Sequence, residues 1–129
     1  MESLTKNYEF KRLYNKGKSF ASGYVVVYCS RNNSAVNKLG ITVSTKLGGA
    51  VQRNRIRRRL KEIYRLNEPA LRKGYNIVLV ARHGSRDVKW KDLESSVLHL
   101  FRKLGLYQSG GSAVGDAAGS SVTPEKKKI

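Results

Sequence analysis

Cysteine, proline, acidic residues and long apolar runs are all scarce in this chain, and each shortage removes a class of protein. The single cysteine, Cys29, leaves no partner for an internal disulfide, and with only His83 and His99 beside it no four-ligand zinc site of Cys and His can be built. Cys29 closes an apolar run and is expected to pack in a strand rather than react. Two prolines among 129 residues, with 40% apolar residues, argue against wholesale disorder and for one modest core. The longest apolar stretch, Tyr24 to Cys29, is about a third of a bilayer span. The opening Met1 to Lys6 lacks the apolar middle of a secretory signal, so a cytoplasmic protein is expected. Acids are outnumbered, 9 against 26 Lys and Arg, giving a net charge of +17. Such an excess repels itself in a compact state, which makes a polyanion the expected partner.

What is present reads as one small mixed domain. Phe10, Leu13 and Tyr14 recur at helical spacing and predict a helix over Tyr8 to Lys16, with Asn7 as N-cap and Gly17 as stop. Tyr24 to Cys29 is β-branched and aromatic, and Asn32-Asn33-Ser34 after it reads as a turn. A hairpin with Leu39 to Ser44 is the expected pairing. Alternation would put Tyr24, Val26 and Tyr28 on one face and Val25, Val27 and Cys29 on the other. Ala50 to about Leu66 contains neither Gly nor Pro, and Ile56, Leu60 and Ile63 form one helical stripe. Lys46-Leu47-Gly48-Gly49 lacks the ending of a nucleotide-binding P-loop and is read as the turn into that helix. Tyr75 to Ala81 reads as a central strand buried on both sides. Trp90 to Leu104 reads as a third helix, Asp87 standing where its N-cap would. The order is α-β-β-α-β-α. From residue 109 onward the chain is small, polar and Gly/Ser-rich, and disorder with a basic tip at Lys126 to Lys128 is expected.

Charge is concentrated in the second helix. Arg53, Arg55, Arg57, Arg58, Arg59, Lys61 and Arg65 stand against one acid, Glu62, over thirteen positions. Asn54, Arg58, Lys61 and Arg65 form a row opposite the apolar stripe, so one face can pack while the other meets phosphates. Six of the seven cations are Arg, whose planar fork binds phosphate oxygens bidentately. Like charges at these spacings destabilise a bare helix, which favours RNA or DNA binding over a merely solvated face. Phe10, Tyr14, Tyr24 and Tyr28, interleaved with Lys11, Arg12, Lys16 and Lys18, suit stacking of unpaired bases, although the same rings could equally be core. The nine acids are scattered; Asp87, Asp92 and Glu94 form the only local cluster, so a hydrolytic two-metal site in the protein is not expected.

The run Lys46-Leu47-Gly48-Gly49-Ala50-Val51-Gln52-Arg53-Asn54-Arg55-Ile56-Arg57-Arg58, followed by Leu60-Lys61-Glu62, resembles the Arg-Asn-Arg signature of the bacterial ribonuclease P protein subunit. The likeness continues in matching order over about residues 5 to 107. It implies an α/β (α+β) two-layer sandwich with a mixed sheet and a left-handed strand-helix-strand crossover, where general rules favour the right hand. It also implies a domain over 1–108 with 109–129 as a tail. By the same resemblance the catalyst is a large RNA holding Mg²⁺, which removes the 5′ leader of precursor tRNA; the protein carries no catalytic residue and no cofactor of its own. Lys46, Arg53, Asn54, Arg55, Arg57, Arg58, Lys61 and Arg65 would face that RNA. Phe10, Tyr14 and Tyr28, with Lys11, would line the cleft holding the leader. A monomer in a 1:1 complex with the RNA is expected; a ribosomal or other structural RNA-binding protein is the alternative.

Overall fold

The structure, a computed structural model, describes residues 2–4 and 6–108. The expected disordered tail from 109 lies outside the described residues. The chain forms β1 (Glu2–Ser3), α1 (Asn7–Lys16), β2 (Lys18–Ala21), β3 (Val25–Arg31), β4 (Lys38–Thr42), α2 (Ala50–Asn67), β5 (Tyr75–Ala81) and α3 (Trp90–Lys103). Short 3₁₀ turns at Thr45–Leu47, Glu68–Ala70 and His83–Ser85 complete it.

The three helices fall where periodicity places them, but two cap assignments are corrected. The N-cap of α1 is Lys6, not Asn7, and Glu9 accepts its backbone N–H at 3.4 Å. The N-cap of α3 is Lys89, not Asp87. In both cases a lysine in extended conformation precedes the first helical residue, and the polar side chain offered by the sequence does not cap. The turn into α2 is as expected: Gly48 adopts φ +132°, a conformation that disfavours any side chain, and Gly49 is the N-cap.

The sheet corrects the expected hairpin. Strand order is β1-β4-β5-β3-β2, so β3 pairs antiparallel with β5 (Tyr28 opposite Val78) and with β2 (Phe20 opposite Val27), and does not pair with β4. β4 lies parallel to β5, joined to it through α2, and β1 lies parallel to β4. β5 is central, as its apolar run requires. Two strands were not foreseen: β1 is only two residues long, and β2 carries one bulky residue, Phe20.

Alternation along β3 and β5 divides the interior. Val25, Val27, Cys29, Ile77 and Leu79 join Ile56, Leu60 and Ile63 of α2 and Leu93, Val97, Leu100 and Phe101 of α3 in the main core. Val78 on the opposite face packs with Leu4 and with Leu13 of α1, flanked by Phe10, Tyr28 and Val80. The sheet and the α2–α3 layer thus form the sandwich, while α1 packs on the second face, with the strip of Phe10, Tyr14 and Tyr28 along the α1–β3 seam forming what we call the aromatic groove. Tyr24 does not share that groove: it precedes β3 in a turn closed by the Ser22 hydroxyl and packs against the main core.

Candidate nucleic-acid interface

Two adjoining surfaces carry the residues singled out by the sequence. On the first, Phe10 and Tyr14 project from successive turns of α1 toward Tyr28 of β3. The Phe10 and Tyr14 ring centroids are 6.4 Å apart, and the Tyr14 and Tyr28 rings meet edge-to-face at 4.8 Å. Phe10 and Tyr28 are half-buried, whereas Tyr14 is 40% exposed, so a π surface remains open. Gly40 of β4 lets the Phe10 ring lie on the sheet: a Cβ there would stand 2.7 Å from Phe10 Cε1. Gly17 serves a similar end, because a Cβ would collide with the carbonyl oxygens of Leu13 and Cys29 where α1 meets β3. Lys11 is exposed on α1 next to Phe10.

The Tyr14 hydroxyl lies 3.4 Å from Thr42 Oγ1 at the end of β4. Three residues on comes the turn bearing exposed Lys46, and then α2, so the aromatic groove leads to the second surface. The α2 N-terminus has neither a side-chain cap nor an acid in its first turn, which leaves its N–H groups and positive dipole end for an external anion. Ile56, Leu60, Ile63 and Tyr64 are buried beneath, while Asn54, Arg55, Arg58 and Lys61 are exposed. Arg57 is half-buried and donates to Asn54 Oδ1 at 3.1 Å, which aims both side chains. Arg53 is half-buried and holds its Nε away from solvent with no acceptor.

The basic residues are not equivalent. Arg65 donates twice to the Glu62 carboxylate, at 2.7 and 2.9 Å; that pairing raises the arginine pKa and lowers the glutamate's. Arg59 turns toward α3, donating to the Val88 carbonyl at 2.7 Å and lying over the Trp90 ring at 5.9 Å. One residue was missed by sequence reasoning. Val51, 81% exposed, shares a shallow depression with Asn54, Arg57, Arg58 and Lys61. Its spacing from Asn54 and Arg58 places it on their row, which is the signal that could have found it.

Among the described residues no three His, Cys, Asp or Glu side chains gather as a metal group. Burial pushes the Cys29 thiol up to about 11, so it is protonated at neutral pH.

A family model described as Ribonuclease P matches residues 1–105. The ribonuclease P protein component of Clostridium botulinum (strain Langeland) is 43% identical over 105 residues, covering 81% of this chain and 95% of the relative. That of Clostridioides difficile is 43% identical over 103 residues, covering 79% and 90%. The solved RNase P protein of Staphylococcus aureus superposes with a TM-score of 0.77 at 31% identity, covering 84% of this chain and 99% of the other. That of Thermotoga maritima gives 0.70 at 30%, covering 76% and 93%.

Proposed function

The chain belongs to the ribonuclease P protein family, and from that premise we propose how its two surfaces divide the work. As a protein component of ribonuclease P, it is the RNA-binding subunit that assists the catalytic RNA in removing the 5′ leader from precursor tRNA, and is not itself the catalyst. Its partners are the ribonuclease P RNA and the precursor. The ribosomal alternative gains nothing from the comparisons.

In our reading, the N-terminus and exposed face of α2, with Lys46, Asn54, Arg55, Arg58 and Lys61, hold the catalytic RNA. The groove of Phe10, Tyr14 and Tyr28, flanked by Lys11, holds the leader. The observation that carries this division is the ring cluster: Phe10, Tyr14 and Tyr28 with centroids 6.4 and 4.8 Å apart, Tyr14 exposed, and its hydroxyl 3.4 Å from Thr42 just before the turn into the basic helix. Unpaired bases lie on such rings with little sequence preference, at about 1 to 3 kcal/mol each. Arg53 adds its charge to this face, and Arg57 supports Asn54. Arg65 contributes less, being engaged by Glu62.

The acids of the described residues do not converge, which supports leaving the Mg²⁺ ions to the RNA. Cations between two polyanions reduce their repulsion, so substrate docks, and the RNA retains its ions, at lower bulk Mg²⁺. We assign a 1:1 complex of one protein with one RNA in the cytoplasm. No described helix is long and apolar enough to cross a membrane. Reconstitution with a bacterial ribonuclease P RNA at low Mg²⁺ tests the proposal: precursor cleavage is expected to rise severalfold with the protein, and an unchanged rate rejects it.

A further inference from the structure

A cavity of about 410 Å³ opens on the α3 side of the sheet, where the last residue of α1, the first of β2, the end of β3 and the C-cap of α3 meet. That volume falls within the range of small-molecule sites, about 300–1,000 Å³. Cys29, Tyr75 and Leu104, which belong to the main core or pack against it, supply the apolar lining. Lys16, Lys18 and Arg31 supply the charge, and among the described residues no acid lines the cavity. None of the three cations has a carboxylate within 4.0 Å among the described residues.

The fold aims these cations. Lys18 stands opposite Cys29 in the β2–β3 ladder, and Arg31 opposite Tyr75 in the β3–β5 ladder, so both lie on the main-core face of the sheet and not on the face of Tyr28. The sequence reading grouped Lys18 with the aromatic residues of α1 and β3; the sheet puts it on the reverse side. The Arg31 guanidinium lies over the Tyr75 ring at 5.7 Å, a stacking that holds the planar group and leaves its N–H edge for an anion. Gly17 brings in Lys16: a Cβ there would meet the Cys29 carbonyl oxygen at 2.9 Å, so only glycine lets α1 end this close to β3. Lys103 over the Phe20 ring, at 5.5 Å, places a further cation beside β2. An inward lysine on an edge strand discourages strand pairing, and Lys16 complements a helix C-terminus. Neither effect accounts for three unpaired cations converging on one concavity.

The cavity is also remote from both proposed RNA surfaces. Tyr75 precedes Val80, the partner of Thr42, by five positions, so the cavity lies about 17 Å along the sheet from the turn into α2. It lies across the sheet from the Val78 face on which α1 packs. Unneutralised cations around a concave site favour a compact multivalent anion. We propose that this cavity binds a polyphosphate chain, free or carried by a nucleoside, with Lys16, Lys18 and Arg31 on its oxygens. Such a chain brings several charged groups into one cavity, which a single backbone phosphate of RNA does not. The assignment is independent of how α1 and α2 divide the RNA between them.

The test titrates the full chain with sodium tripolyphosphate, ATP and AMP in about 0.15 M salt, which screens diffuse attraction beyond about 8 Å. Backbone amide resonances of Ser30, Tyr75 and Leu104 are followed by NMR. Saturable shifts at these amides are expected with tripolyphosphate and ATP, and weaker binding with AMP. Equal affinity for the first two assigns recognition to the phosphate chain alone, and tighter ATP assigns a nucleotide; either result upholds the proposal. Lys18→Ala combined with Arg31→Ala, both at exposed positions, is expected to weaken this binding roughly tenfold. Arg86→Ala combined with Lys89→Ala removes the same charge from another exposed region and is expected to leave it unchanged. Equal weakening by the two pairs reduces the effect to net charge and overturns the proposal, as does the absence of shifts at the three amides. If the Lys18 and Arg31 pair instead weakens assembly with the ribonuclease P RNA while tripolyphosphate fails to bind, the cavity is an RNA contact and the proposal is overturned.

Discussion

Gly40 illustrates how much of the groove depends on an atom that is missing. Its place in β4 is compatible with any residue by backbone conformation, yet a methyl group would overlap the edge of the Phe10 ring, at 2.7 and 2.8 Å. That ring is the free end of a side chain and can swing aside. Gly40→Ala is therefore expected to cost only about 1 kcal/mol of stability, while precursor affinity falls about fivefold or more as a stacking surface is lost. Mature tRNA, which lacks the leader, should bind as before. Binding titrations of the two RNAs against one protein preparation check this; equal losses would show that Phe10 does not contact leader. The groove's aromatic members were visible in sequence, but its glycine was not, because only the fold brings residue 40 under residue 10.

At the scale of the element, α2 was the most legible part of the chain. Its stripe and its charged row lie in one continuous helix, so spacing alone reports both faces. Spacing could not tell that Arg59 turns to α3 or that Arg65 is engaged by Glu62. The structure predicts three different outcomes. Arg58→Ala should weaken RNA binding and reduce the slope of log affinity against log salt by about one. Arg65→Ala should do less of both. Arg59→Ala should leave the slope unchanged and lower stability by about 1 to 2 kcal/mol, through loss of the Val88 hydrogen bond and the Trp90 contact. Salt titrations with thermal melts separate them, and an Arg59 variant behaving like Arg58→Ala would contradict the division. The sheet was less legible: β2 is an edge strand with one bulky residue, and β3 takes a partner beginning at Tyr75 rather than the nearby run at Leu39. Short-range pairing is the better guess from sequence; burial of β5 on both faces at Ile77, Val78 and Leu79 puts that strand between β3 and β4 instead.

For the molecule as a whole, stability should record the burial of Cys29 at the centre of the sheet. Below about pH 9 the thiol is protonated whether folded or unfolded. Between pH 9 and about 11 the unfolded chain releases the proton and the folded chain does not, so unfolding becomes more favourable as pH rises. The loss is of order 2 kcal/mol across that window. Cys29→Ala should remove this part of the pH dependence, and denaturant melts of both proteins at pH 8 and 10.5 measure it; identical slopes would show that the thiol does not contribute.

The nonlocal strand order also sets a sequence of events during synthesis. The floor of the groove joins β3, from the first third of the chain, to β5, which ends at Ala81, whereas the arginine helix is complete at Asn67. A nascent polypeptide emerging from the ribosome thus exposes the helix proposed to dock RNA before it possesses the strand that floors the proposed leader groove. On that proposed division, capture of precursor tRNA waits until Val78 has packed with Leu4 and Leu13, and translation itself imposes the delay.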